Sequence, residues 1–248
     1  MSKIRVMLTA AAMLAGTYAA QAQSVNDLLG KANKVLNTAT GGKTGNYTNT
    51  EAVNALKQAL NIGAQNASGK LNSLNGFFGN QLIKILMPPE AKKVESTLRS
   101  IGMGKQVDNA ILAMNRAAED AAGKAVPIFT NAITGMSIQD GINIVRGGNN
   151  AATNYLKGKT TTQLTDAFKP VISNSLGKVD ATKYWSAIFS TYNRLPTTAN
   201  KINPDLTAYV TERALNGLFV SIAEEENKIR QDPAARVTDL LKKVFGNP

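Results

Sequence analysis

The feature that most constrains this chain is an apolar repeat with the period of an α-helix, which recurs along almost its whole length. Apolar residues follow one another at intervals of three and four, the spacing that places them on one face of a helix. The apolar–polar alternation that is typical of a half-buried strand is nearly absent. We therefore predict an all-α fold, a single multi-helix globular domain of roughly ten helices with no significant sheet.

Local signals predict where several of these helices begin and end. Thr48 with Glu51 has the spacing of a capping box, and Ser137 with Asp140 marks another helix start. A short helix is predicted to begin at Ala151, and a separate one, broken near Pro170, to run from residue 160 to 178. Further helices are predicted over residues 25–36, 180–195, 205–231 and 233–245.

Two segments do not fit the helical pattern. Residues 40–48 are predicted to be a flexible loop, and residues 75–89, NGFFGNQLIKILMPP, an apolar non-helical connection. Glycines flank the paired phenylalanines of the second segment, and two prolines end it. The segment has two interpretations, a connection that crosses the core or a hydrophobic lid or membrane-dipping loop, and the sequence leaves both open.

The N-terminus has the pattern of an export signal. Lys3 and Arg5 precede an apolar run from Val6 to Ala20, and Ala20-Gln21-Ala22 is a small-x-small cleavage site. Residues 1–22 are therefore predicted to be a cleaved secretory signal peptide, and residues 23–248 the mature all-α domain. We expect a periplasmic or secreted protein without a transmembrane span once the signal is removed.

The chain contains neither cysteine nor histidine and carries a formal net charge of +11. A fold of this length can bury enough apolar surface to be stable without disulfides. The charge favours anionic partners such as lipid head groups. We expect no nucleic-acid partner, because no basic block exceeds two residues and no aromatic residues are interleaved with a basic groove.

The missing residue types also exclude classes of chemistry. Without histidine and cysteine there can be no Ser-His-Asp or Cys-His nucleophile and no zinc site built on those ligands. No cofactor or metal is predicted, and the chain is predicted not to be an enzyme. The remaining enzyme hypothesis is a carboxylate-based hydrolase that uses residues such as Glu119, Asp120 or the run Glu224 to Glu226.

Candidate ligand-binding residues come from the apolar connection and from the sparse aromatics. Core packing is the alternative interpretation for all of them. Trp185, Phe189 and Tyr209 belong to the same aromatic group near the C-terminal half. The predicted ligand-binding residues are Phe77, Phe78, Ile83, Ile85, Tyr155, Tyr184 and Tyr192.

Three consecutive glutamates end an otherwise apolar helix and cannot share one face, because they sweep about 200° of its circumference. Glu224 with Lys228 and Glu226 with Arg230 have the spacing of surface ion pairs. Glu225 falls on the apolar side and is predicted to be buried, bonded to backbone amides or to an arginine. The predicted set of buried polar residues is Glu225, Arg116, Arg236 and Glu119.

Several stretches of the chain resemble a known family. They include MNRAAEDA at residues 114–121, AATNY at 151–155, LNGLFVSIAEEENKIR at 215–230 and DPAARVTDLLKKVFG at 232–246. The resemblance covers nearly the whole mature chain and is to the exported bacterial family named domain of unknown function 4197. It implies an envelope location and a helical fold, and it implies no activity, substrate or site residue.

Three functional hypotheses follow. The first is a non-enzymatic binding protein that holds an apolar or anionic envelope ligand, a lipid for example, between its helices. The second is a structural or docking protein of the cell envelope with a protein partner. The third is the carboxylate-based hydrolase, which needs two carboxylates about 5–10 Å apart across a cleft.

Overall fold

Helices make up most of the protein wherever its structure is described. A computed structural model of the chain describes residues 43–44, 47–179, 185–186, 189–190, 193–194, 201 and 205–231. Seven α-helices lie in these ranges: α1 Asn49–Leu71, α2 Lys92–Ser100, α3 Gly104–Ala122, α4 Ala125–Thr134, α5 Ile138–Arg146, α6 Ala151–Gly177 and α7 Leu206–Gln231. The prediction of a helical fold is confirmed for this part of the chain.

The predicted number of roughly ten helices is wrong for the described residues, which contain seven. One reason is that α6 is a single helix of 27 residues with Pro170 inside it, where two helices and a break were predicted. The side chains of Leu164, Phe168, Ile172 and Leu176 recur every fourth residue and are fully buried. Burial of four such side chains, at about 1.5–3 kcal/mol each, outweighs the roughly 3 kcal/mol cost of an internal proline.

The other predicted helices lie wholly or largely outside the described residues. These are the helices over residues 25–36 and 233–245 and most of the one over 180–195. The predicted signal peptide at residues 1–22 and Arg236 also lie outside. Of the predicted loop at 40–48, the structure describes a short antiparallel hairpin, β1 Lys43–Thr44 and β2 Tyr47–Thr48, in which Lys43 pairs with Thr48.

The predicted capping box at Thr48 and the predicted helix start at Ser137 are both confirmed. The Thr48 hydroxyl accepts the backbone N–H of Glu51 at 3.1 Å, and the Glu51 carboxylate accepts the backbone N–H of Thr48 at 2.7 Å. Ser137 and Asp140 exchange the same bonds at the start of α5. Each box satisfies amides that have no partner inside the helix, so these sequence signals fix the first residue of α1 and of α5.

Helix α7 lies at the centre of the described helices. It packs against α1, α3 and α6, and α1 also packs against α4 and α5. The buried side chains of α1, α3, α4, α6 and α7 form one continuous core. None of the described helices combines the length and the apolar character that a membrane span requires.

Residues 72–88 join α1 to the 3₁₀ turn Pro89–Ala91 without α-helix or strand, and we call them the apolar connection. Phe77, Ile83 and Ile85 point into the core and are at most 5% exposed. Space for Phe77 depends on Gly217 in α7, where a Cβ would lie only 2.6 Å from the Phe77 ring. This side of the connection therefore crosses the core.

Candidate functional site

A groove of about 880 Å³ runs along the outer face of α3 and is lined mainly by apolar side chains. One wall comes from α2 and the residues that flank it, and the other from the end of α6, from Trp185 and Phe189 and from the start of α7. The described residues that line it are Met87, Val94, Leu98, Met103, Gln106, Val107, Asn109, Ala110, Leu112, Ala113, Met114, Arg116, Asp120, Ser175, Lys178, Val179, Trp185, Phe189 and Leu206.

The floor of the groove is set by the spacing of residues in α3. Gln106, Asn109, Ala110, Ala113 and residues one and two turns further on recur at intervals of three and four, so they lie on one face of the helix. The opposite face, with Ile111 and Ala118, is buried in the core. The two alanines have short side chains and leave room between the walls.

Polar and charged groups gather at one end of the groove. The Ser175 hydroxyl donates a hydrogen bond of 2.6 Å to the Asp120 carboxylate, which joins α6 to α3. Lys178 follows Ser175 by three residues and is exposed. Arg116 lines the groove from α3, and its guanidinium also bonds Glu119 and, at 2.8 Å, the side-chain oxygen of Asn75. This end therefore carries two cationic side chains beside one carboxylate.

An aromatic stack forms part of the second wall. The rings of Trp185 and Phe189 have their centroids 4.4 Å apart, and Trp185 stacks on Tyr209 at 5.8 Å with an interplanar angle of 18°. The Tyr209 hydroxyl donates to the backbone oxygen of Leu86 at 2.8 Å. Burial raises the pKa of Tyr209, because its phenolate would be poorly solvated there. The stack ties the groove wall to the apolar connection.

Of the ligand-binding residues predicted from the sequence, the five that the structure describes do not line this groove. Phe77, Ile83 and Ile85 are buried in the core because they anchor the apolar connection. Phe78 is half-buried, and the ammonium of Lys84 lies 3.9 Å from its ring centroid. Tyr155 is half-buried on α6, 5.7 Å from the Lys159 ammonium. Tyr184 and Tyr192 lie outside the described residues.

Glu119 is buried and holds the apolar connection in place. One oxygen of its carboxylate accepts the backbone N–H groups of Phe77 and Phe78, each at 3.1 Å. The other oxygen bonds Arg116, which is therefore the partner of Glu119 and not of Glu225 as considered from the sequence. The side chain of Glu119 is 5% exposed. These bonds satisfy the buried charge, so Glu119 has a structural role.

Asn115 supports the same connection one turn earlier in α3. Its side-chain oxygen accepts the backbone N–H of Ile85 at 2.8 Å, and its amide donates to the backbone oxygen of Ile85 at 2.8 Å. The side chain thus pairs with Ile85 as a neighbouring strand would. The residue is fully buried, and the sequence analysis did not identify it.

Of the three consecutive glutamates, Glu226 rather than Glu225 is the buried one. Its carboxylate accepts the backbone N–H of Ala152 at 3.1 Å and that of Thr153 at 2.9 Å, and it bonds Arg230 at 2.9 Å. Helix α6 has no side-chain cap of its own, because its N-cap residue Asn150 makes no such bond. Glu226 supplies this cap from α7, at the positive end of the α6 dipole.

Glu225 differs from the prediction in its partner. Its side chain is 15% exposed and bonds Lys228 at 2.5 Å and Asn66 at 3.3 Å, so among the described residues neither an arginine nor a backbone amide is its partner. This contact replaces the predicted pair of Glu224 with Lys228, and Glu224 lies 3.9 Å from Lys70 instead. The prediction was wrong because the α6 amides approach the face of α7 that carries Glu226. That approach depends on how two helices that are distant in sequence pack together.

The groove presents a mainly apolar surface with few ionisable side chains among its described lining residues. Asp120 is the one carboxylate among its described lining residues, and the hydrolase hypothesis needs a second one across the cleft. The part of the chain that the structure describes contains no cluster of three acidic, histidine or cysteine residues that could hold a metal ion. An apolar groove with a few convergent polar groups is the usual form of a small-molecule site.

Comparison with known proteins gives a family and no function. Residues 46–246 match the family described as "Protein of unknown function (DUF4197)". No curated protein and no solved structure shows significant similarity to the chain.

Proposed function

The chain belongs to this family of proteins of unknown function, and we propose from its groove that it is a non-enzymatic binding protein for an apolar ligand with an anionic group. The observation that carries the proposal is the apolar groove of about 880 Å³ with Arg116 and Lys178 at one end. Its volume falls within the roughly 300–1,000 Å³ that is typical of sites for drug-sized ligands. An amphipathic lipid has the matching chemistry.

The groove is polar at one end and apolar along the rest of its length, and this difference supports an orientation for the ligand. The apolar tail would lie over Ala110 and Ala113, between the wall that contains Met87 and Met103 and the wall that contains Trp185. The anionic group would lie at the end that carries Lys178. Burial of apolar surface would supply most of the affinity, at about 25 cal/mol per Å², and Lys178 would select for the charge of the head.

The proposal includes export. The basic start, apolar run and small-x-small site of residues 1–22 support a secretory signal, and an exported protein would meet envelope lipids. Fractionation of cells that express the full chain tests this part separately. We expect a shortened protein outside the cytoplasm, and a full-length protein in the cytoplasm would contradict it.

Ligand binding is tested by native mass spectrometry and lipid extraction of protein purified from exporting cells. We expect a co-purifying ligand with wild type and none with Ala113→Phe, because the larger side chain fills the groove floor. The matched control is Thr162→Phe, at an exposed position of α6 that does not line the groove. Absence of ligand from wild type, or its equal recovery from both variants, would contradict the proposal.

A second function, docking of a protein partner, is favoured by exposed apolar residues beside the groove. Ile101 is 65% exposed, and Met103 and Val179 at the rim are 38% and 56% exposed. An amphipathic helix of a partner could lie in such a groove. Crosslinking in cells from a photoreactive residue at position 101 distinguishes the two, since a specific protein adduct together with a ligand-free mass would favour docking.

A further inference from the structure

The apolar connection carries two leucines that are more exposed than any other large apolar side chain in the described part of the chain. Leu74 is 76% exposed and Leu82 is 79% exposed. Neither leucine lines the groove or the two smaller pockets on other faces of the protein. Exposed apolar side chains that share one segment suggest an interaction surface.

The backbone around Leu82 is held in place by polar bonds from α3 and from the connection itself. Asn80 accepts the backbone N–H of Leu82 at 3.1 Å. Two residues of α3, Glu119 and Asn115, bind the backbone on either side of it, at residues 77, 78 and 85. The segment therefore presents its leucines without a further loss of backbone entropy when a partner binds.

The charges along the connection are basic. Residues 72–88 contain no aspartate or glutamate, and Lys84 lies over the ring of Phe78. Lys70 precedes the connection at the end of α1 and is exposed. Lys124 follows Gly123, which abuts the side chain of Asn72 at the start of the connection. The segment that carries the two leucines thus contains one lysine, and two more lie next to it.

The acidic residues near the segment do not cancel this charge. Glu119 is buried and paired with Arg116. Glu224 lies 3.9 Å from Lys70, a long and solvated contact.

We propose that the apolar connection docks the protein on an anionic lipid surface, with Leu74 and Leu82 in the headgroup region and Lys70, Lys84 and Lys124 facing lipid phosphates. Apolar side chains next to lysines are the combination that binds such a surface, since burial and charge attraction act together. The charges favour this occupant over an apolar protein surface. The surface is separate from the groove, and docking does not depend on a ligand there.

Docking would place the groove beside the bilayer. Met87 belongs to the connection and lines the groove, and Arg116 lines the groove and contacts Asn75 within the connection. A lipid that left the bilayer at this point would meet the groove directly. This last consequence rests on the proposed function, whereas docking itself is tested without it.

Vesicle flotation tests the docking proposal with protein purified from exporting cells. We expect binding to phosphatidylethanolamine vesicles that contain phosphatidylglycerol, weaker binding to phosphatidylcholine vesicles, and release by salt. The double variant Leu74→Ser/Leu82→Ser is expected to bind at least about tenfold more weakly. Lys84→Gln and Lys124→Gln are each expected to weaken binding about fivefold on the anionic vesicles alone.

Val220→Ser is the matched control, since it removes another exposed apolar side chain from α7. It is expected to bind vesicles like wild type, and circular dichroism of every variant establishes that the helices are intact. The proposal is overturned by absence of vesicle binding, by equal binding to both lipid compositions, or by equal losses in the control and the leucine variant. Crosslinking from position 82 to one protein without vesicle binding would assign the surface to a protein partner instead.

Discussion

Replacing Glu226 with glutamine tests how the two longest helices are joined. The carboxylate caps α6 through the amides of Ala152 and Thr153 and pairs with Arg230, and the charged side chains of this pair are only 4% and 14% exposed. Glutamine keeps an oxygen for one of these donors, but it cannot balance the charge of Arg230 or the positive end of the α6 dipole.

The expected loss of folding free energy is large for a substitution that changes one atom. Removal of one partner from a buried ion pair costs about 3–5 kcal/mol, and we expect about 3 kcal/mol because some hydrogen bonds remain. Urea unfolding followed by far-UV circular dichroism measures it. With a slope of about 2 kcal/mol per molar urea, the midpoint should fall by about 1.5 M while the slope stays unchanged.

Glu225→Gln is the matched control one residue earlier. Its partner Lys228 is 53% exposed, so the pair is largely solvated and its loss should cost less than about 1 kcal/mol. Equal midpoints for the two variants would refute the reasoning, because burial and capping would then not distinguish Glu226 from its neighbour.

Three further predictions concern the supports of the apolar connection and the helices beside it. Asn115→Ala should lower the free energy of unfolding by about 3 kcal/mol, since it leaves a buried backbone N–H and C=O without partners, as urea unfolding would show. Burial raises the pKa of Tyr209, so stability should fall as the pH rises from the ordinary tyrosine value through the folded one, and thermal unfolding of Tyr209→Phe should show less of this alkaline loss. Gly217→Ala should destabilise by about 1–3 kcal/mol because its Cβ would overlap Phe77, whereas Gly158→Ala, which meets nothing within 4 Å, should stabilise α6 by about 0.5–1 kcal/mol in thermal melts.

Each of these has an outcome that would contradict it. Asn154→Ala, a control substitution at an exposed position of α6, should leave the free energy of unfolding nearly unchanged. If it lowered this free energy as much as Asn115→Ala does, the bonds from Asn115 to the connection would not be what stabilises the fold. An alkaline loss in Tyr209→Phe as steep as in wild type would assign it to other groups. Stabilisation by Gly217→Ala would mean that the Phe77 ring moves aside freely.

The sequence predicted local structure well because local signals determine it. Thr48 and Ser137 begin helices as expected, since a capping box involves residues three apart. The break predicted at Pro170 failed because the buried stripe along α6 is a tertiary effect that a local signal does not include. The same limitation explains the capping role of Glu226, since the backbone amides that it caps lie more than 70 residues away along the chain.

The location of the groove could not be predicted from the residues that the sequence suggested for ligand binding. The predicted ligand-binding residues were large aromatic and aliphatic side chains, and the described ones are core or lie half-buried away from the groove, because such side chains contribute most when buried. Trp185 and Phe189 of the same aromatic group do line the groove. The available signal was weaker, namely Ala110, Leu112 and Ala113 on the otherwise polar face of α3. The sequence of α3 alone does not explain apolar residues on that face. They form a groove only because α2 and the end of α6 pack on either side of it.

The proposed function requires the groove to hold an apolar chain, and the fluorescence of Trp185 tests this requirement. It is the single tryptophan of the protein, it is 4% exposed, and it lines the groove. Titration with a brominated fatty acid, whose bromine quenches tryptophan on contact, should give saturable quenching in wild type. Lys178→Gln should weaken it, and Ala113→Phe should abolish it, while the unbrominated acid should give no such quenching. Absence of quenching in wild type, or equal quenching in Ala113→Phe, would contradict the account.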